Sequence, residues 1–284
     1  MEIKPLSELG ELLEREKKTP PEDREEMKAA CIADDVPRFK ATFDRWLTYG
    51  FNIHELDKVV CEAVCRNNVE ILSIITSHGF VEPYYGYARE AVEHRAKDVL
   101  SYFLSQGWNI NHTAQKYPAI LWFAVADEDM TVWLLDHGAD PNQQTLIDDT
   151  PMSQAVRDAS LSTIKILFER GADVHKGQLL HHAVYHKTDS VAILSLLLEK
   201  GAILDANMYD NHDVSWSLYY ILGLGTALHH AATAGNLDAV KYLLDQGADP
   251  TIKDMRNRTP LGCVGPDHPE ITAVLETAMK NHAA

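Results

Sequence analysis

The sequence predicts an all-α solenoid, a row of short helix-turn-helix units stacked side by side. Three observations predict it. A short motif recurs as LDHGADPN (135–142), FERGADVH (168–175), LEKGAILD (198–205) and LDQGADPT (244–251). Gly138 and Gly171 stand 33 residues apart, as do Thr226 and Thr259, and a fixed period of this length marks stacked supersecondary units. Within a unit, Leu237, Val240, Leu243 and Leu244 form the stripe of an amphipathic helix.

Residues 1–23 lie outside the period. Leu6, Leu9, Leu12 and Leu13 make one apolar stripe, which predicts a short helix capping the first unit, with a tail as the alternative. Thr19-Pro20-Pro21-Glu22-Asp23 then reads as a stop followed by a helix start, because proline fits the first helical position. Eight units follow, at 24–53, 54–83, 84–113, 114–144, 145–175, 176–206, 224–254 and 255–280. In the first half they are traced through the helix-ending glycines Gly50, Gly79 and Gly107, whose short steps imply trimmed finger loops.

The best-formed unit is GTALHHAATAGNLDAVKYLLDQGADP (225–250). Thr226 is placed to cap a first helix, Ala231 and Ala232 allow close helix approach, Gly235-Asn236 breaks the chain and Gly247 ends the second helix. This pattern resembles the ankyrin repeat, with Thr226-Ala227-Leu228-His229 in the place of that family's T-P-L-H. Thr259-Pro260-Leu261-Gly262 and Thr150-Pro151-Met152-Ser153 fill the same slot, partly altered. The resemblance implies one ankyrin-repeat domain over 24–284, with short or absent β-fingers and one enlarged finger loop, whose concave groove and finger tips bind a partner protein or peptide.

Composition narrows the partner. Lys plus Arg is 26 and Asp plus Glu is 42, a net charge of −16. That surface repels phosphate backbones and anionic lipid, so nucleic acid and membranes are poor partners and a basic protein or peptide is the better one. The charged N-terminus has no uninterrupted apolar core for a secretory signal or a span, so a cytoplasmic or nuclear location is expected. The common nucleotide, zinc-protease and hydrolase motifs do not occur, and no cofactor is expected. Cys31, Cys61, Cys65 and Cys263 are too few for a disulfide framework, and Cys61 and Cys65 read as buried small apolar side chains.

LLHHAVYHK (179–187) raises the question of chemistry. Aligned by repeat, His181 and His229 fall at the T-P-L-H histidine, which in the family hydrogen-bonds backbone between units. His182 and His230 take a place that is usually apolar, but no carboxylate or cysteine joins His182, His186 and His230 at ligand spacing, so no metal site is expected. Repeat register places Arg66, Glu93, His94, Asp127, Arg157, Asp158, Tyr185 and His186 on the groove as contact residues.

Gly201 and Gly247 are 46 residues apart, 13 beyond the period. The excess carries Tyr209, Trp216, Tyr219 and Tyr220, which either plug a gap between units or overhang the groove as an anchor. The leading expectation is a non-catalytic interaction module. The alternative is a small-molecule-binding protein or cofactor-independent enzyme whose pocket uses His182, Tyr185, His186, His230 and Tyr220 for acid–base chemistry.

Overall fold

A computed structural model describes residues 20–49, 56–79, 85–113 and 117–282. The leucine stripe at 6–13 and Gly50 lie outside the described residues. The described residues divide into two compact units, one up to residue 109 and one from residue 110.

Among its described residues the first unit holds three helix pairs: α1 (Pro21–Ala33) with α2 (Val36–Leu47), α3 (Asp57–Cys65) with α4 (Val69–Ser77), and α5 (Tyr85–Glu93) with α6 (Lys97–Ser105). α1 starts with proline at its first position, as the sequence predicts. Each tight turn between paired helices uses a left-handed residue, Asp34, Asn67 or Arg95. Asp35 and Asn68 then cap the following helices by accepting from Arg38 N and Ile71 N. α3 packs against α1 and α5 to form one column, and α4 packs against α2 and α6 to form the other. Phe39, Phe43 and Trp46 are fully buried on α2 and stack in series, with centroids 5.7 and 5.6 Å apart.

The second unit contains α7 (Leu121–Ala124) with α8 (Glu128–Asp136), α9 (Pro151–Asp158) with α10 (Leu161–Glu169), and α11 (Leu179–Ala183) with α12 (Ser190–Glu199). An inserted α13 (Asp213–Tyr219) runs into a 3-10 turn, Tyr220–Leu222. After it come α14 (Ala227–Ala234) with α15 (Leu237–Asp245), then a 3-10 turn at Pro260–Cys263 with α16 (Pro269–His282). α7, α9, α11, α14 and the turn at 260–263 pack in succession as the inner column. Among the described residues no β-strand forms.

The recurring G-A-D has a local cause. Gly138, Gly171, Gly201 and Gly247 all take φ between 91° and 99°, where a side chain is strained. Each following alanine amide then donates back to the helix, to Leu134, Leu167, Leu197 and Leu243 carbonyls at 3.0 Å. The aspartates Asp140, Asp173 and Asp249 accept from the amide two residues on. The residue four after the glycine reaches the next repeat. Asn111 bonds Gly138 O and Asp140 N, Asn142 bonds Gly171 O and Asp173 N, and Asp205 accepts from Asp249 N. This ladder joins consecutive loops through side chains rather than strands. Asn142→Ala removes two of its bonds from a partly exposed site, and a loss of about 1 kcal/mol in urea denaturation is expected. An unchanged midpoint would show that water replaces both bonds at no cost.

Candidate functional site

The histidines resolve into two groups. His181 Nε2 donates to the Ala206 carbonyl at 3.0 Å, and His229 Nε2 donates to the Arg258 carbonyl at 3.0 Å while its Nδ1 accepts from Thr226 N. Both are buried links to the following repeat segment, the role implied by the resemblance. His186 is also architectural: its Nε2 donates to Ala159 O at 3.1 Å and its Nδ1 accepts from Asp189 N at 3.0 Å. It is 8% exposed, which corrects its reading as a groove contact. With both ring nitrogens engaged, no donor or acceptor is left for a ligand.

His182 and His230 remain on the inner surface. The Tyr185 hydroxyl lies 3.0 Å from His230 Nδ1, and His230 packs edge-on against His181 at 5.4 Å. Burial pushes His230 down to about 3, with His181 and His229 adding to the shift. Burial likewise holds His182 well below the ordinary value, with Arg157 acting in the same direction. These are neutral imidazoles at physiological pH, poorly suited to proton shuttling.

The insertion is fixed to the loops that precede it, and its seat is a buried polar network around Asp148. The Asp148 carboxylate accepts from Gln144 Nε2 at 2.6 Å, Gly177 N at 2.8 Å and Gln178 Nε2 at 2.5 Å. Gln178 in turn accepts from Tyr209 N and donates to Asn211, and Asn211 donates to His175 O. Asp148 N donates to the buried Ser215 Oγ at 2.8 Å. His212 caps α13 by accepting from Ser215 N. Met208, Tyr209 and Leu224 form a small apolar cluster, and Tyr219 stacks on Tyr209 at 5.7 Å. Tyr209 is therefore a buried anchor at 8% exposure, not the contact residue that the sequence suggests.

Trp216 and Tyr220 face outward and stack on each other at 5.5 Å. Neither makes a ring contact or hydrogen bond with His182, Tyr185, His186 or His230. Of the residues of the alternative pocket, Tyr185 and His230 thus meet with His182 near them, while Tyr220 does not join them. A cavity of about 480 Å³ does exist, lined by Gln178, Leu179, His181, Ile203 and Asn207 among others, and none of the five residues of that alternative lines it.

The other groove candidates are dispersed. Arg66 pairs with Glu62 at 3.0 Å and Glu93 with Arg89 at 2.7 Å, on exposed helix faces. Asp127 caps α8 by accepting from Met130 N, which gives it a structural task. Asp158 accepts from Gln154 at 2.5 Å and is exposed. Arg157 pairs with the half-buried Asp149 at 2.9 Å, and burial raises the Asp149 carboxyl against the opposing pull of Arg157. Cys31 is buried, whereas Cys61 and Cys65, which the sequence suggests are buried, are only partly so. His94 is exposed beside Glu90 and Cys65, a grouping that sequence spacing does not reveal.

A family model for ankyrin repeats (3 copies) matches residues 121–210 and 176–254. The chain is 32% identical over 118 residues to the B-cell lymphoma 3 protein homolog of Mus musculus, covering 39% of this chain and 23% of that protein. It is 30% identical over 159 residues to the ankyrin repeat protein nuc-2 of Neurospora crassa, covering 53% of this chain and 13% of that protein. Human neurogenic locus notch homolog protein 1 matches at 30% over 174 residues, or 60% of this chain and 6% of that protein. The chain thus spans less than a quarter of the length of each of these relatives. Among solved structures, the ankyrin repeat domain of Bcl-3 superposes with a TM-score of 0.51 at 22% identity, over 76% of this chain and 97% of that one. The period, the capping boxes, the glycine-ended helices and these matches have one explanation, that the chain is an ankyrin repeat protein.

Proposed function

We propose that the chain is a non-catalytic interaction module that holds a partner protein or peptide against the outward face of its insertion and the adjoining loops. Ankyrin repeats serve protein interaction, and one observation carries the reading to these residues. Val214, Trp216, Leu218, Tyr220, Ile221 and Leu222 lie within nine positions and are 39 to 60% exposed. A run of large apolar side chains left in water within so short a segment marks a recognition surface. The segment is also preorganised, since Ser215 is seated on Asp148 and Arg256 donates twice to the Ile221 carbonyl. A rigid aromatic anchor loses little entropy on binding. The net charge of −16 favours a partner with basic residues around an apolar core, and disfavours nucleic acid and anionic membrane. No helix among the described residues is long and apolar enough to cross a membrane.

The test is selection of displayed peptides on the full chain, with affinity then measured against a Trp216→Ala, Leu222→Asp double variant. Recovered peptides are expected to be basic and apolar, and to bind the variant roughly 100-fold more weakly, as for loss of a central anchor. Equal affinity for both proteins would sink the proposal. A second reading, a small-molecule site, has one observation in its favour. Asn207 Oδ1 is buried without a partner, and Asn207 lines the 480 Å³ cavity, a size that suits a ligand carrying an N–H or O–H donor.

A further inference from the structure

We infer that Cys65, Glu90 and His94, in the first compact unit, bind a divalent transition-metal ion of the zinc class. Cys65 ends α3, while Glu90 and His94 stand four apart on and just beyond the end of α5, and these two helices pack against each other. Cys65 Sγ and His94 Nδ1 each lie 3.9 Å from Glu90 Oε2, and one donor atom from each residue fits within 4.8 Å of the other two. Ligand atoms of a tetrahedral zinc ion sit roughly 3.3 to 3.8 Å apart, as bond lengths of about 2.0 to 2.3 Å require. Side-chain rotation of about an ångström closes the remaining gap. A thiolate, an imidazole and a carboxylate form a donor set that zinc accepts.

The surrounding charges leave this set available. Arg66 is turned to Glu62 and Arg89 to Glu93, so among the described residues no arginine or lysine pairs with Glu90. His94 Nδ1 also lies 3.0 Å from the Glu90 backbone carbonyl, so to ligate an ion this nitrogen gives up that hydrogen bond or the exposed ring turns to offer Nε2. The side chains of Glu90 and His94 are 39% and 46% exposed, which gives an ion a direct path from solvent. Three protein ligands leave a fourth position for water. Cys61 lies one turn before Cys65 on the same face of α3. Binding replaces the Cys65 thiol proton, so one proton leaves per ion bound, and the ion ties α3 to α5.

The site is tested by titrating the reduced full-length chain with cobalt(II). A near-ultraviolet thiolate-to-cobalt charge-transfer band is expected, saturating at one equivalent and removed by zinc. Cys65→Ser should abolish the band. His94→Gln and Glu90→Gln, at partly exposed positions that leave the circular dichroism unchanged, should weaken zinc binding at least about tenfold. Absence of the band in the native chain, its survival in Cys65→Ser, or unchanged zinc affinity in His94→Gln would each overturn the proposal.

Discussion

Lowering the pH from 7.5 to 5 should destabilise the folded chain by several kcal/mol, and the inner-column histidines are the reason. His181 is 4% exposed, and burial pushes it down to about 4, partly offset by its bond to the Ala206 carbonyl. His230 is pushed down to about 3 and His182 is lowered well below the ordinary value, both mainly by burial. In the unfolded chain these imidazoles titrate near 6.5, so below that pH the unfolded state binds protons that the folded state refuses. The stability is fully present above about pH 6.5 and falls as the pH drops toward about 4. For His181 alone the loss at pH 5 is about 2 kcal/mol. The groups acting on this cluster are His229 and Arg157, both of which disfavour a further positive charge. Asp249, held low by the Thr251 hydroxyl, acts below pH 4 and outside this window. Urea midpoints at pH 7.5, 6 and 5 provide the check. A flat profile would refute the account, and a His182→Leu, His230→Leu double variant should show a shallower slope than the native chain.

Asp148→Ala should be among the most damaging single substitutions in the second unit, costing about 3 kcal/mol. The carboxylate is 1% exposed, and its removal strands the buried Gly177 amide and one bond of Gln178. Gly177 and Gln178 are themselves buried, so the lost bonds are costly to leave unmade. Because Gln178 also holds Tyr209 N and Asn211, the loss should reach the insertion. Limited proteolysis would detect this as faster cleavage within 207–224, together with a red-shifted, Trp216-dependent part of the emission. A variant with native stability and native cleavage rate would show that the insertion is seated by its apolar cluster alone. Asp148→Asn keeps the shape but offers one accepting oxygen, so about half the loss is expected.

Much of the architecture is legible in the sequence because its causes are local. A glycine at positive φ, an alanine amide turned back to the helix and an aspartate bonding two residues ahead all act within six or seven positions. Thr226 with His229 and Thr150 with Ser153 cap their helices in the same short range. The candidate site is legible only in part. The aromatic excess at 205–225 is visible as a departure from the period, but the sorting of its side chains is not. Ser215 and Asp148 meet across 67 residues beside the outward-facing Trp216, and Tyr209 is held inward by Gln178, 31 residues away. His186 is misread for the same reason, since its partner Ala159 lies 27 residues away in the preceding repeat.

By itself, then, the sequence determined the repeat, its helix ends and the acidic net charge, which follow from backbone preferences and composition acting over one turn or over the whole chain. The structural task of His181 and His229 was implied by the resemblance to the ankyrin family. Only the tertiary structure decided that the insertion is a seated helix with an apolar outer face, that His186 and Tyr209 are internal, and that Cys65 meets Glu90 and His94. Each of these depends on which side chains the stacking of repeats brings within a few ångströms, a distance that no local periodicity encodes.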